Sequence, residues 1–186
     1  MGPKVAQKWG HFCQPGAAQP SPCRRGEYQP SFGLDTCFPC PPGFHCPYPG
    51  TLVPMLCPAH VYCPTGTWSP PLCPPGTFTS QNASGLQAEG DCSICPPGHY
   101  CRGGQVWGKC PAGYFCPPGT SGLMTSCPPR QLCAVQCPPG FYCPEGSEEP
   151  ILCPPHTVTI APRAKKRGEC EPCPPGRWCK AGKTPV

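Results

Sequence analysis

An aromatic side chain recurs one or two places ahead of a cysteine along this chain, at Phe44, Tyr62, Tyr100, Phe115, Tyr142 and Trp178, with short polar, proline and glycine stretches between. Apolar positions so brief predict strands of two or three residues and almost no helix. No run of 18 apolar residues exists, so the pattern predicts no membrane span. Leu, Ile, Val and Phe number 25 among 186 residues, too few for apolar burial to offset the entropy of ordering the chain. Something other than an oily interior must hold it.

The cysteines supply that something. There are 21 of them, alongside 35 Pro and 23 Gly, and they fall into a seven-residue unit of two cysteines separated by five residues. The closed copies are CPPGFHC (40–46), CPAHVYC (57–63), CPPGHYC (95–101), CPAGYFC (110–116), CPPRQLC (127–133), CPPGFYC (137–143) and CPPGRWC (173–179). Proline fixes φ near −65° and glycine in the fourth place allows positive φ, so each copy is a tight turn presenting two thiols. The preceding aromatic is a half-buried hydrophobe beside them. CPPGTFT from Cys73 and CPPHTVT from Cys153 open the same way without closing, and each begins a long loop.

A larger period encloses the units. Cys13, Cys23, Cys37, Cys40 and Cys46 repeat as Cys63, Cys73, Cys92, Cys95 and Cys101, and again as Cys143, Cys153, Cys170, Cys173 and Cys179, with only the long loop changing length. Loop closure entropy grows slowly with length, so a stapled module tolerates that variation. The periods divide the chain into a leader or truncated repeat at 1–9, a cysteine-rich module at 10–63, modules at 64–143, and a last module, cut at its C-terminal end, at 144–186. QKWGHFC (7–13) carries Gln7 where an opening cysteine belongs, and KAGKTPV follows Cys179 without a further cysteine. The expectation is a segment of a longer repeat protein, its odd cysteine count following from the cut.

Net charge is +5 with the basic residues scattered, too thin for a nucleic-acid footprint. The one tract, Lys165, Lys166 and Arg167, reads as the solvated tip of a loop ahead of a processing or heparin-type site. The first ten residues lack the apolar core of a secretory signal, and Gly2 lacks the Ser or Thr at position 6 that myristoylation wants, Ala6 standing there. Cysteine usage nevertheless points to an oxidising compartment.

No Ser, His and Asp grouping, phosphate-binding glycine loop or singular cysteine nucleophile stands out, so no enzyme and no cofactor are expected. The C-x2-C pairs at 37/40, 92/95 and 170/173 recur too far apart for paired zinc knuckles, and His45 and His99 sit within turn units. An intracellular zinc-binding protein is the alternative reading. Asn82 begins the sequon Asn82-Ala83-Ser84 in the longest loop, a candidate glycosylation site. Loops 74–91 and 154–169 are the expected contact surfaces for a protein partner the sequence does not specify.

The phrases CFPCPPGFHC, CSICPPGHYC and CEPCPPGRWC, with CPPGTF at 73, resemble the ephrin type A/B receptor-like cysteine-rich repeats, related to tumour necrosis factor receptor and EGF-like modules. The resemblance covers residues 10 to 179. It implies a small disulfide-rich fold, an elongated tandem array of short cysteine-rich modules with tiny β-strands and almost no helix. It also implies a non-enzymatic structural or protein-interaction segment of a larger extracellular or membrane-anchored protein, with no direct membrane insertion. By analogy with the receptor-type modules, long loops close as Cys23–Cys37, Cys73–Cys92 and Cys153–Cys170. Between them lie crossed knots: Cys40–Cys57, Cys46–Cys63, Cys95–Cys110, Cys101–Cys116, Cys127–Cys137 and Cys133–Cys143. Cys13, Cys173 and Cys179 are then left over. Direct bonding within each five-residue unit is the rival scheme, and the residues alone leave both open.

Overall fold

The computed structural model describes residues 8–31, 33–80, 83–124, 127, 129–177 and 179. They divide into two compact units, one within 1–73 and 79–92, the other within 74–78 and 93–186. In the first, His11–Phe12 pairs with Ser21–Pro22, Glu27–Tyr28 with Phe38–Pro39, and Phe44–His45 with Met55–Leu56. In the second, Thr77–Phe78 pairs with Ser93–Ile94, Tyr114–Phe115 with Val135–Gln136, Phe141–Tyr142 with Ile151–Leu152, and Thr157–Val158 with Glu171–Pro172. All are antiparallel, two-stranded and two residues long. The length has a local cause: two residues separate the positive-φ crest from the closing position, and the proline that follows Cys46, Cys116 and Cys143 has no N–H to extend a ladder. The chain folds as the small disulfide-rich tandem array of tiny strands that the resemblance implies.

One hairpin is longer. His99–Arg102 pairs with Gln105–Lys109, and the register slips between Val106 and Gly108. Here Arg102 follows the closing cysteine in place of proline, and Gly103 (φ 59) and Gly104 (φ 76) form a two-residue turn with both φ positive, the geometry that matches strand twist. Both strands therefore continue past Cys101. Among the described residues helix is confined to two single 3-10 turns, Glu89–Asp91 and Arg167–Glu169, each ending a long loop immediately before its cysteine.

Ten disulfides join twenty of the cysteines. Cys23–Cys37, Cys73–Cys92 and Cys153–Cys170 close the long loops. The crossed knots implied by the family resemblance are not formed. Each unit is bonded across its own turn instead, as Cys40–Cys46, Cys57–Cys63, Cys95–Cys101, Cys110–Cys116, Cys127–Cys133 and Cys137–Cys143. Cys173 and Cys179, expected to be left over, are bonded to each other in the same way. Only Cys13 stays unpaired. Geometry explains the correction. Each turn sets its own two Cα atoms 5.6 to 6.0 Å apart, inside the range a disulfide accepts. Crossed bridges would close longer loops, but the extra chain-entropy stabilisation is only about 1 kcal/mol, less than the cost of a distorted bridge.

Consecutive units are joined by backbone hydrogen bonds through the turn crest. In the first compact unit, the N–H of Gly43 donates to the Cys63 carbonyl at 2.8 Å, and the Gly43 carbonyl accepts from the Cys57 N–H at 2.9 Å. In the second, the Gly98 N–H donates to Cys116 at 2.8 Å and its carbonyl accepts from the Cys110 N–H at 2.7 Å. A further turn completes each junction: Gly146 N–H donates to the Cys110 carbonyl at 2.7 Å and Cys116 N–H to the Ser147 carbonyl at 2.9 Å. Gly85 and Leu86 do the same for Cys57 and Cys63, and Arg163 and Ala164 for Cys137 and Cys143. Both cysteines of a unit thus have their main-chain groups engaged as well as their sulfurs.

The interior is mostly sulfur, with a few polar groups and the small apolar side chains of Ala134, Val158 and Ala164. Cys40, Cys46, Cys95, Cys101, Cys110 and Cys116 have no exposed surface. Where a unit fails to close, a buried polar residue fills the closing place: Gln29, Thr79 and Thr159. The Gln29 side-chain amide donates to the Thr36 carbonyl, while the Thr79 hydroxyl oxygen accepts from His60 N–H at 2.9 Å and that of Thr159 from Gly140 N–H at 2.8 Å. Each is satisfied, as burial requires.

The crest leaves no room for a side chain. At Gly43 (φ 81) an added Cβ would lie 2.7 Å from the Gly85 carbonyl oxygen, whereas at Gly16 (φ 83) it would meet nothing. Gly16→Ala is expected to cost about 1 to 2 kcal/mol from the left-handed backbone alone, and Gly43→Ala distinctly more because backbone must move. Thermal unfolding of the oxidised variants checks this; equal losses at the two sites would remove the crest from its role.

Candidate interaction surface

The turn units offer little free surface, because their sulfurs and main-chain groups are already engaged. The long loops are also held. Loop 74–91 is pinned by Gly85 and Leu86, and loop 154–169 by Arg163 and Ala164, through the junction bonds described above. Each then ends on an acidic residue folded back on its own turn. The Asp91 carboxylate accepts from the N–H groups of Gln87 at 2.7 Å and Ala88 at 3.0 Å, which hold its pKa below the usual carboxylate value, burial opposing weakly. Glu169 accepts from the Lys165 N–H at 3.2 Å in the same manner.

What remains open is side-chain surface at the junctions. In the second compact unit, Pro97, Phe115, Pro117, Pro118, Glu148, Glu149 and Pro150 line a groove of about 500 Å³. The junction at Gly98 builds it: Pro97 precedes the crest, Phe115 to Pro118 bracket Cys116, and Glu148 follows Ser147, whose carbonyl Cys116 holds. Proline and a bonded backbone leave this floor few conformations to lose. Residues 92–144 contain no Asp or Glu, so the acidic wall stands at the border of a carboxylate-free stretch. On the long hairpin, Trp107 at the register slip is 66% exposed, aimed outward because a bulge residue has no cross-strand partner. In the first unit the Arg25 guanidinium lies 5.8 Å from the exposed Trp68 ring; in the second, Arg163 lies 4.9 Å over Tyr114.

Tyr62, Tyr100, Phe115 and Tyr142 are half-buried, while Phe44 is slightly more exposed. Trp178 and Asn82 lie outside the described residues. Lys165, Lys166 and Arg167 are exposed. Each C-x2-C pair is split between two bridges: Cys37 bonds Cys23 while Cys40 bonds Cys46, and the pairs at 92/95 and 170/173 divide alike. Thiols so used cannot ligate a metal, and among the described residues no three His, Cys, Asp or Glu side chains gather as one would need. His99 Nδ1 contacts the Pro97 carbonyl at 3.1 Å and so carries the proton of that bond. Among the described residues no helix is long and apolar enough to cross a membrane.

Two features escape a reading based on cysteine spacing. Cys23 begins a third open unit, CRRGEYQ, hidden because arginines replace the prolines and only Gly26 marks the crest. At three junctions the second turn shows in the sequence as a glycine followed by Thr or Ser soon after a closing cysteine, in CPTGT, CPPGT and CPEGS. There the hydroxyls of Thr67, Thr120 and Ser147 donate to the carbonyl three residues back at 2.6 to 2.7 Å. The groove depends on this second turn.

A search of protein-family models finds no match for the chain. The chain is 33% identical over 127 residues, 61% of its length, to ABC transporter G family member 25 of Oryza sativa subsp. japonica, and spans 12% of that relative.

Two outcomes are expected. Trypsin should cut at Lys165 to Arg167 at least about tenfold faster after reduction, because proteases need an opened segment and both flanks are held; rapid, clean cutting of the oxidised protein would instead favour a processing site. At Asp91 the two backbone N–H donors hold the folded carboxyl below its ordinary value, so its contribution is present above the unfolded value and lost as pH falls through the folded one. Asp91→Ala should abolish this acid-dependent loosening, read as amide exchange at Gln87 and Ala88; a persistent transition would assign it elsewhere.

Proposed function

We propose that this chain is a non-catalytic segment of a larger protein, a covalently stapled spacer that presents side-chain surface to a protein partner on the extracytoplasmic side of a membrane. The observation that carries the reading is the disulfide count: ten bridges among 21 cysteines, a state that persists in oxidising compartments and not against cytosolic reductants. The sequence phrases shared with ephrin receptor-like repeats support an array of that general type, adapted by bonding each unit across its own turn. Similarity to a small part of a transporter supports a segment appended to a membrane-associated chain. The groove and the hairpin tryptophan supply recognition surface.

Secretory expression tests this. Non-reduced peptide mapping should return the ten bridges, thiol titration one thiol per chain, and elemental analysis no stoichiometric zinc. A folded but fully reduced, zinc-loaded product would sink the reading in favour of an intracellular metal protein.

A further inference from the structure

The groove beside Gly98 has features of a peptide site that the spacer role does not require. Its floor is four prolines and Phe115 and its wall is Glu148 and Glu149. Glu148 and Glu149 are exposed, and among the described residues neither carboxylate has a hydrogen bond or an ion pair. The nearby Lys109 side chain passes over Gly146, its Cδ 3.8 Å from where a Cβ would stand there, without pairing with either. The volume falls in the range of small-ligand clefts. Three sequence-distant segments meet here through bonds of 2.7 to 2.9 Å, so the cleft is preformed and binding would order little.

We propose that this groove docks an extended, arginine-bearing segment of a partner polypeptide. The proline and phenylalanine floor receives the apolar stem of an arginine and the flat faces of neighbouring residues, as extended proline-rich ligands pack on such surfaces. The guanidinium then meets the paired glutamates, a planar donor fork against two acceptors. Lysine fits the floor but not the fork, so arginine is preferred. Charge complementarity selects this occupant: the wall is acidic, unpartnered and set over an apolar base, which an acidic or neutral ligand would leave desolvated without compensation.

The inference rests on the interaction role proposed above, and its failure would leave the bridge map and thiol count untouched. The test titrates the oxidised full chain with the acetylated, amidated peptide Pro-Arg-Pro-Pro-Arg-Pro and with the same peptide carrying citrulline for arginine. NMR shifts should centre on Phe115, Glu148 and Glu149. Affinity should fall about tenfold for the citrulline peptide and for the Glu148→Gln/Glu149→Gln double variant, and weaken with salt. Equal affinity for both peptides, shifts confined to other residues, or no binding at millimolar peptide overturns the proposal. So does self-association abolished by the double variant, which would make a second copy of this chain the occupant.

Discussion

At glycine crests such as Gly43 and Gly98 both main-chain groups are shared with the following unit, and the rest of the structure depends on that sharing. A left-handed crest is needed to turn the chain, and at these glycines the absence of a Cβ lets the next backbone lie against the turn. At Gly43 the neighbouring carbonyl stands where a methyl group would go. Where the crest is not glycine, the backbone still adopts the conformation: His60, Arg130 and His156 have φ between 64° and 72°. At His60 the N–H meets the Thr79 hydroxyl oxygen in place of a backbone carbonyl, and the left-handed geometry costs an L-residue about 1 to 2 kcal/mol.

Sulfur and hydrogen bond then divide the work. A bridge across a seven-residue turn fixes one unit but cannot link it to the next, and the crest bonds link units but do not close them. With so few Leu, Ile, Val and Phe side chains, neither could be replaced by apolar packing. The three open units follow the same economy: Gln29, Thr79 and Thr159 fill the closing place with side-chain hydrogen bonds, and the freed opening cysteine reaches across a long loop. Loop length varies without disturbing the array because the second turn inside each loop is what touches the preceding unit.

The surface follows from that interior. Junction turns place prolines and aromatics of successive units side by side, and the residues beyond each second turn, such as Glu148 and Glu149, project over them. The long hairpin departs from the pattern at a single substitution, Arg102 where proline ends other strands, and the release of that constraint carries Trp107 outward on a bulge. Exposed side-chain surface on this chain is therefore a by-product of how its turns interlock.

Spacing alone determined the turn units, their two-residue strands and the dependence on crosslinks, because proline, glycine and cysteine act through local dihedrals and local loops. Pairing of the cysteines was beyond it. A C-x5-C unit is compatible with bonding inside or between units, and only the folded distances, together with the crest bonds that occupy the space between neighbours, decide for the inside. The CRRGEYQ unit was equally hidden, since its turn survives on Gly26 alone. The groove belongs wholly to the tertiary structure: Pro97, Phe115 and Glu148 are far apart along the chain, and hydrogen bonds among nonadjacent backbones bring them to one place.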